Sequence, residues 1–219
     1  MSDAITPFKV EITSAEVEDL RRRLAATRWP DAETTGDWSQ GIPLAYMKEL
    51  CAYWATGYDM QRVAKRLNAL PQFRTGIDGL GIHFLHVRSP HADALPLVMT
   101  HGWPGSVIEF LKVIGPLADP TRHGGEAKDA FHVVCPALPG YGFSDKPADV
   151  EYPLSFFTGC IRQTLDVAGV TRCSLVGNSL GGAIALQFAL DYPEMTEKLI
   201  LMAPGGLNAK EEYFQMPGM

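Results

Sequence analysis

Four continuous apolar runs, each leading into a glycine-bearing turn, constrain this chain more than any other feature. They read LPLVMTHGW (95–103), FHVVCPALPGYG (131–142), CSLVGNS (173–179) and KLILMAPGG (198–206). Strands written without polar alternation are covered on both faces. Helical patterns separate them: SVIEFLKVIGPL (106–117), LSFFTGCIRQTLDVAG (154–169, stopped by Gly169) and residues 180–191. Strands alternating with helices predict βαβ units and a parallel sheet flanked by helices.

Ahead of residue 72 the period is helical. Thr13 and Glu16 form a T-x-x-E capping box, followed by Val17, Leu20 and Leu24 at helical spacing, with Pro30 as the expected stop. A second helix fits 43–57, with Leu44, Met47, Cys51 and Trp54 on one stripe and Gly57 as breaker. A third stripe, Met60, Val63, Leu67 and Leu70, stops at Pro71. Such stripes read as core contacts and carry no chemistry. FRTGIDGLGIHFLHVRS (73–89) then sets Asp78-Gly79 between two β-like runs, a hairpin signal. The expected division is a helical segment, 1–72, and an α/β unit, 73–219.

Composition removes several functions. Net charge is −6 and no basic run exceeds Arg21-Arg22-Arg23, so nucleic acid is not an expected partner. Cys51, Cys135, Cys160 and Cys173 contain no C-x-x-C pair, which favours free thiols over a disulfide frame or a zinc site. The start, MSDAITPFKVEITSAEVEDL, lacks a basic n-region and an apolar h-region, and no apolar stretch is long enough to span a bilayer. A soluble cytoplasmic protein is expected, acting on a small molecule, with no cofactor and no metal.

Ligands of open α/β sheets bind at the carboxyl ends of the strands, and three strand ends are informative. His101-Gly102-Trp103-Pro104-Gly105-Ser106 is either a Pro/Gly turn with a packed tryptophan or a loop offering one backbone donor to an oxyanion. Leu138-Pro139-Gly140-Tyr141-Gly142-Phe143-Ser144 reads as a turn with an aromatic. Gly177-Asn178-Ser179-Leu180-Gly181 is G-x-S-x-G with a strand before it and a helix after it, the context of a nucleophile elbow. Ser179 is then the nucleophile. Leu180 supplies a second oxyanion N–H, and Gly177 and Gly181 permit the tight turn.

These residues carry a resemblance. PFKVEITSAEVEDLRRRLAATRWPD, DWSQGIPLAYMKELCAYWATGYDMQRVAKRLNALPQFRTGIDGLGIHFLHVRS, LPLVMTHGWPGSVIEFLKVIGPL and FHVVCPALPGYGFSDKP resemble the N-terminal region of microsomal-type epoxide hydrolases, over residues 7–147. From 150 to 219 the text, CSLVGNSLGGAIALQFALDYPEMTEKLILMAPGGL included, resembles serine hydrolases that cleave a carbon–carbon bond beside a ketone in meta-cleavage products. The resemblance implies an α/β-hydrolase fold with an N-terminal helical lid segment. It also implies a cis Trp103-Pro104 bond and oxyanion-side backbone groups in the 101–106 loop, with Trp103 as donor and His101, Gly102 and Pro104 in support.

Two departures follow. Epoxide hydrolases hold aspartate at the elbow, and here it is Ser179. Both families take their base from a late histidine, yet all six histidines (83, 86, 91, 101, 123 and 132) precede Ser179. The resemblance therefore implies an incomplete fold that ends before the cap and last strands. His101 is weighed as a substitute base and set below a packing, hydrogen-bonding role in its loop. Three functions stay open: a serine hydrolase of esters or ketone-adjacent C–C bonds, a truncated or recombined member with little catalysis, and a binding module. In the last, a second copy or another chain covers an open sheet edge.

Overall fold

The computed structural model describes residues 4–207. Val10–Ala69 form one compact unit, and the remaining described residues form the other.

The smaller unit holds α1 (Ser14–Ala25), α2 (Leu44–Thr56) and α3 (Gln61–Asn68). The capping box starts α1: Thr13 Oγ1 accepts the Glu16 N–H at 3.3 Å, and the Glu16 carboxylate accepts the Thr13 N–H at 2.8 Å. Pro30 is not the stop. The Ala26 N–H returns to Arg22 O at 3.0 Å and the Thr27 hydroxyl to Leu24 O at 2.8 Å, so the helix closes before the proline. Ile12, Leu20, Leu50, Trp54 and Val63 line an apolar hollow of about 530 Å³ in this unit.

The larger unit is a seven-stranded sheet in the order β1-β2-β3-β5-β4-β6-β7. Its strands are β1 (Thr6–Pro7), β2 (Gln72–Ile77), β3 (Leu80–Val87), β4 (Leu95–Thr100), β5 (Phe131–Pro136), β6 (Cys173–Asn178) and β7 (Thr196–Met202). β5, β4, β6 and β7 run parallel, and β1 to β3 add an antiparallel margin. The sequence reads its opening residues as helical. Thr6 and Pro7 instead pair with Arg74 and Phe73 at the sheet edge, where a proline costs no ladder bond. Asp78 and Gly79 make the predicted hairpin turn with positive φ, 49° and 83°.

α5 (Leu154–Val167) and α6 (Leu180–Asp191) cover one face of the sheet. Phe157, Ile161, Leu165, Ile184 and Phe188 pack there on Val98, Val134 and Leu175. The helix expected over 106–117 is broken into a 3-10 turn, Val107–Phe110, and a five-residue α4, Ile114–Ala118. β-Branched residues and the Gly115-Pro116 pair disfavour a continuous helix. The result leaves a groove of about 700 Å³ against the second face, lined by Leu97, Met99, Val176, Ile200 and Met202.

His83 in β3 is fully buried. Its Nε2 lies 3.0 Å from Gln72 Oε1, and the edges of Phe8 and Phe143 close around it. Burial, and then the nearby Arg74 charge, push its pKa down to about 4. Below the ordinary histidine range the unfolded chain binds a proton that the folded chain refuses, so stability falls as pH drops from about 6.5 towards 4. Burial lowers His86, His101 and His132 in the same direction. Urea unfolding at pH 7 and pH 5 is expected to differ by about 2 kcal/mol. The loss shrinks in His83→Gln, and an equal loss in that variant removes His83 as the cause.

Candidate active site

Ser179 joins the end of β6 to the start of α6 with φ 53° and ψ −117°, a conformation that costs a residue with a side chain about 1–3 kcal/mol. The surroundings hold it there. Its N–H donates to Met202 O of β7 at 2.9 Å, and its carbonyl accepts from Gly182, Ala183 and Gly205 at 2.9, 3.2 and 3.1 Å. The serine is thereby lifted from the sheet onto the helix N-terminus, where the first N–H groups have no intrahelical partner. Leu180 is the first residue of that helix.

The glycines of the motif answer to close approach. A Cβ at Gly177 would fall 2.3 Å from Gly181 O, and one at Gly181 would fall 2.1 Å from Thr100 O. The Thr100 hydroxyl donates to Gly181 O at 2.8 Å, binding α6 to the end of β4. This contact brings the 101–106 loop to the elbow. Gly102 lies directly against Ser179, since a Cβ there would sit 3.0 Å from Ser179 Cβ and 3.1 Å from Asn178 O. Trp103 follows, with a cis bond to Pro104, and is 70% exposed.

His101 is buried beneath this loop. Its Nε2 accepts the Leu138 N–H at 3.1 Å, and its Nδ1 lies 3.0 Å from Gly102 O. One nitrogen accepts and the other donates, which fixes a neutral ring and leaves neither for Ser179. Burial holds its pKa below the ordinary value. These two bonds make His101 a strut between two loops rather than a base for Ser179. The 138–144 turn is its counterpart, with Tyr141 packed edge-on at 5.3 Å.

Other histidines have partners elsewhere. His132 Nδ1 accepts the Ser89 N–H at 3.0 Å, and His91 Nε2 lies 3.4 Å from Asp119. Asp191, which follows the elbow in sequence, is bound by Thr158 and Gln187 at the far end of α6.

Sequence reasoning passed over Glu109 and Asn178. Glu109 reaches back from the 3-10 turn to the Gly102 N–H at 3.2 and 3.3 Å and to Asn178 Nδ2 at 2.9 Å. No spacing in the sequence signals the contact, whose partners lie seven residues before Glu109 and 69 after it.

A parallel sheet with a strained serine at a strand-to-helix turn, and a glycine loop set against it, defines a hydrolase-type architecture. The chain belongs to the alpha/beta hydrolase fold family, whose model matches residues 96–218. Residues 5–110 match the family described as the epoxide hydrolase N terminus. A provisionally named epoxide hydrolase of Stigmatella aurantiaca (strain DW4/3-1) is 51% identical over 84% of this chain and 42% of its own length. Epoxide hydrolase 1 of Sus scrofa is 40% identical over 65% of this chain and 32% of its own. The juvenile hormone epoxide hydrolase of the silkworm Bombyx mori superposes with a TM-score of 0.81 at 27% identity, over 91% of this chain and 53% of that one. A meta-cleavage product hydrolase from Pseudomonas fluorescens IP01 shares the fold at 22% identity and a TM-score of 0.51, over 60% of this chain and 44% of that one. The chain thus spans about two fifths of the length of its first relative. It is an epoxide-hydrolase-like α/β hydrolase covering part of the full fold.

Proposed function

We propose that Ser179 is the nucleophile of an acyl-transfer hydrolase acting on a small molecule with an ester or a ketone-adjacent carbon–carbon bond. The observation that supports this reading is the serine itself, strained onto a helix N-terminus with Gly102 against it. The chemistry of the side chain points the same way. A serine that opened an epoxide would become an ether with no carbonyl for water to attack, whereas an acyl-serine hydrolyses. The backbone N–H groups of Trp103 and Leu180 serve as oxyanion donors. Gly177 and Gly181 allow the turn, and His101, Gly102 and Pro104 shape the facing loop.

In this reading a second chain supplies the base and its acid, since the histidines of this sequence lie between residues 83 and 132 and those with placed partners are engaged away from Ser179. The uncovered apolar groove beside β7 favours such a completing segment, because both faces of a parallel sheet are normally covered. In this scheme residues 1–72 are the lid segment and 73–219 the incomplete core. Three buried thiols suit a cytoplasmic setting, and burial raises Cys160 and Cys173 to about 11 and about 12, far from reactivity.

A second reading, a member with little or no catalysis of its own, draws on the histidines already engaged elsewhere. A fluorophosphonate probe separates the two. Labelling of the wild type but not of Ser179→Ala is expected. No labelling anywhere between about pH 6 and pH 9 sinks the nucleophile and leaves the second reading.

A further inference from the structure

We propose that Glu109 is a positioning residue that clamps the 101–106 loop to the nucleophile elbow. Three segments meet at its carboxylate. Both oxygens accept from the Gly102 N–H, at 3.2 and 3.3 Å, and Oε2 also accepts from Asn178 Nδ2 at 2.9 Å. A carboxylate is an acceptor only, and both partners are donors, so the charge matches the site.

The local fold is arranged around this contact. Ser106 Oγ caps the Val107–Phe110 turn by accepting the Ile108 N–H at 3.4 Å, and the Glu109 N–H returns to Ser106 O at 3.1 Å. Val107 and Phe110 are each 3% exposed and anchor that turn. Glu109 is therefore aimed back over its own loop. Gly105 is what makes room, since a Cβ there would fall 1.5 Å from Glu109 Oε1.

Two consequences reach Ser179. A Cβ at Gly102 would sit 3.0 Å from Ser179 Cβ, so the loop backbone runs close beside the nucleophile and whatever fixes Gly102 fixes the distance between them. The Gly102 N–H is also consumed by Glu109, which leaves the next N–H along the loop, that of Trp103, for a substrate oxygen. This second consequence rests on the nucleophile reading. The clamp itself does not.

The test reads two quantities on the whole chain: amide hydrogen exchange at Gly102, followed by NMR, and the fluorophosphonate labelling rate of Ser179. In Glu109→Ala the Gly102 amide is expected to exchange at least about tenfold faster and labelling to slow about tenfold. Glu109→Gln keeps an acceptor for Gly102, and Asn178 can turn its Oδ1 to the new amide, so both quantities stay within about threefold of wild type. Asn178→Asp sets two carboxylates together and mimics Glu109→Ala, and Glu109→Gln combined with Asn178→Asp restores the wild-type values. Unchanged Gly102 exchange in Glu109→Ala overturns the proposal, as does Glu109→Gln behaving like Glu109→Ala. If the wild type is never labelled, the nucleophile reading falls while the exchange data still decide the clamp.

Discussion

Alanine at Gly181 is expected to destabilise the larger unit by at least about 3 kcal/mol, a large share of the 5–15 kcal/mol typical of a domain. The added Cβ would fall 2.1 Å from Thr100 O and 2.5 Å from His101 O. Neither oxygen belongs to a flexible side chain. Thr100 pairs with Gly177 in the β4–β6 ladder, and its hydroxyl is bonded to Gly181 O and Val176 O. His101 is held by its ring nitrogen to Leu138. Relief requires α6 to slide off the strand or the 101–106 loop to leave the elbow. Both outcomes also slow labelling of Ser179. Gly159, inside α5, is the contrast, because a Cβ there meets nothing within 4 Å. Gly159→Ala is expected to gain about 0.5–1 kcal/mol from helix propensity alone. Urea unfolding of the two variants checks the pair. A Gly181→Ala midpoint equal to wild type means that α6 does not pack against the end of β4.

Residues 173–191 were legible because local and global signals agree there. A buried strand, a G-x-S-x-G turn and an apolar helix each demand the next, and the structure supplies Cys173–Asn178 and Leu180–Asp191. The hairpin at Asp78-Gly79 and the capping box at Thr13 were readable for the same reason: each is decided within a few residues. Misreadings arise where a distant partner decides. Thr6–Pro7 become a strand only because β2, some 65 residues later in the chain, offers its edge. The 106–117 segment carries apolar residues at helical spacing, but Gly115-Pro116 and two β-branched pairs fragment it. Glu109 was invisible for a stricter reason. Its partners are seven residues before it and 69 after it, and no period or spacing connects the three. His101 was read in the right loop, yet its role needed Leu138, which only the fold brings near.

Exchange of serine for aspartate at the elbow should change which electrophile the chain can capture. With styrene oxide, the wild type is expected to form no diol. Ser179→Asp is expected to gain one molecule of epoxide covalently. The carboxylate oxygen bonds to a ring carbon, the carbon–oxygen bond of the ring breaks, and the released alkoxide takes a proton from water. The product is a hydroxyalkyl ester, whose carbonyl can be attacked. The histidines with placed partners are engaged away from Ser179, His101 by Leu138 and His132 by Ser89, so they are not available to activate a water for that attack. The ester should therefore accumulate rather than turn over. Intact mass reads the adduct, and hydroxylamine should remove it, because hydroxylamine cleaves esters and leaves ethers. The side chain at 179 is short in either case, and the strained backbone that presents it, φ 53° and ψ −117°, is set by Met202, Gly182 and Gly205 rather than by the side chain. The geometry should thus survive the exchange. Diol formation by the wild type would refute the argument from serine chemistry. A hydroxylamine-resistant adduct on both chains would locate the reaction away from the elbow.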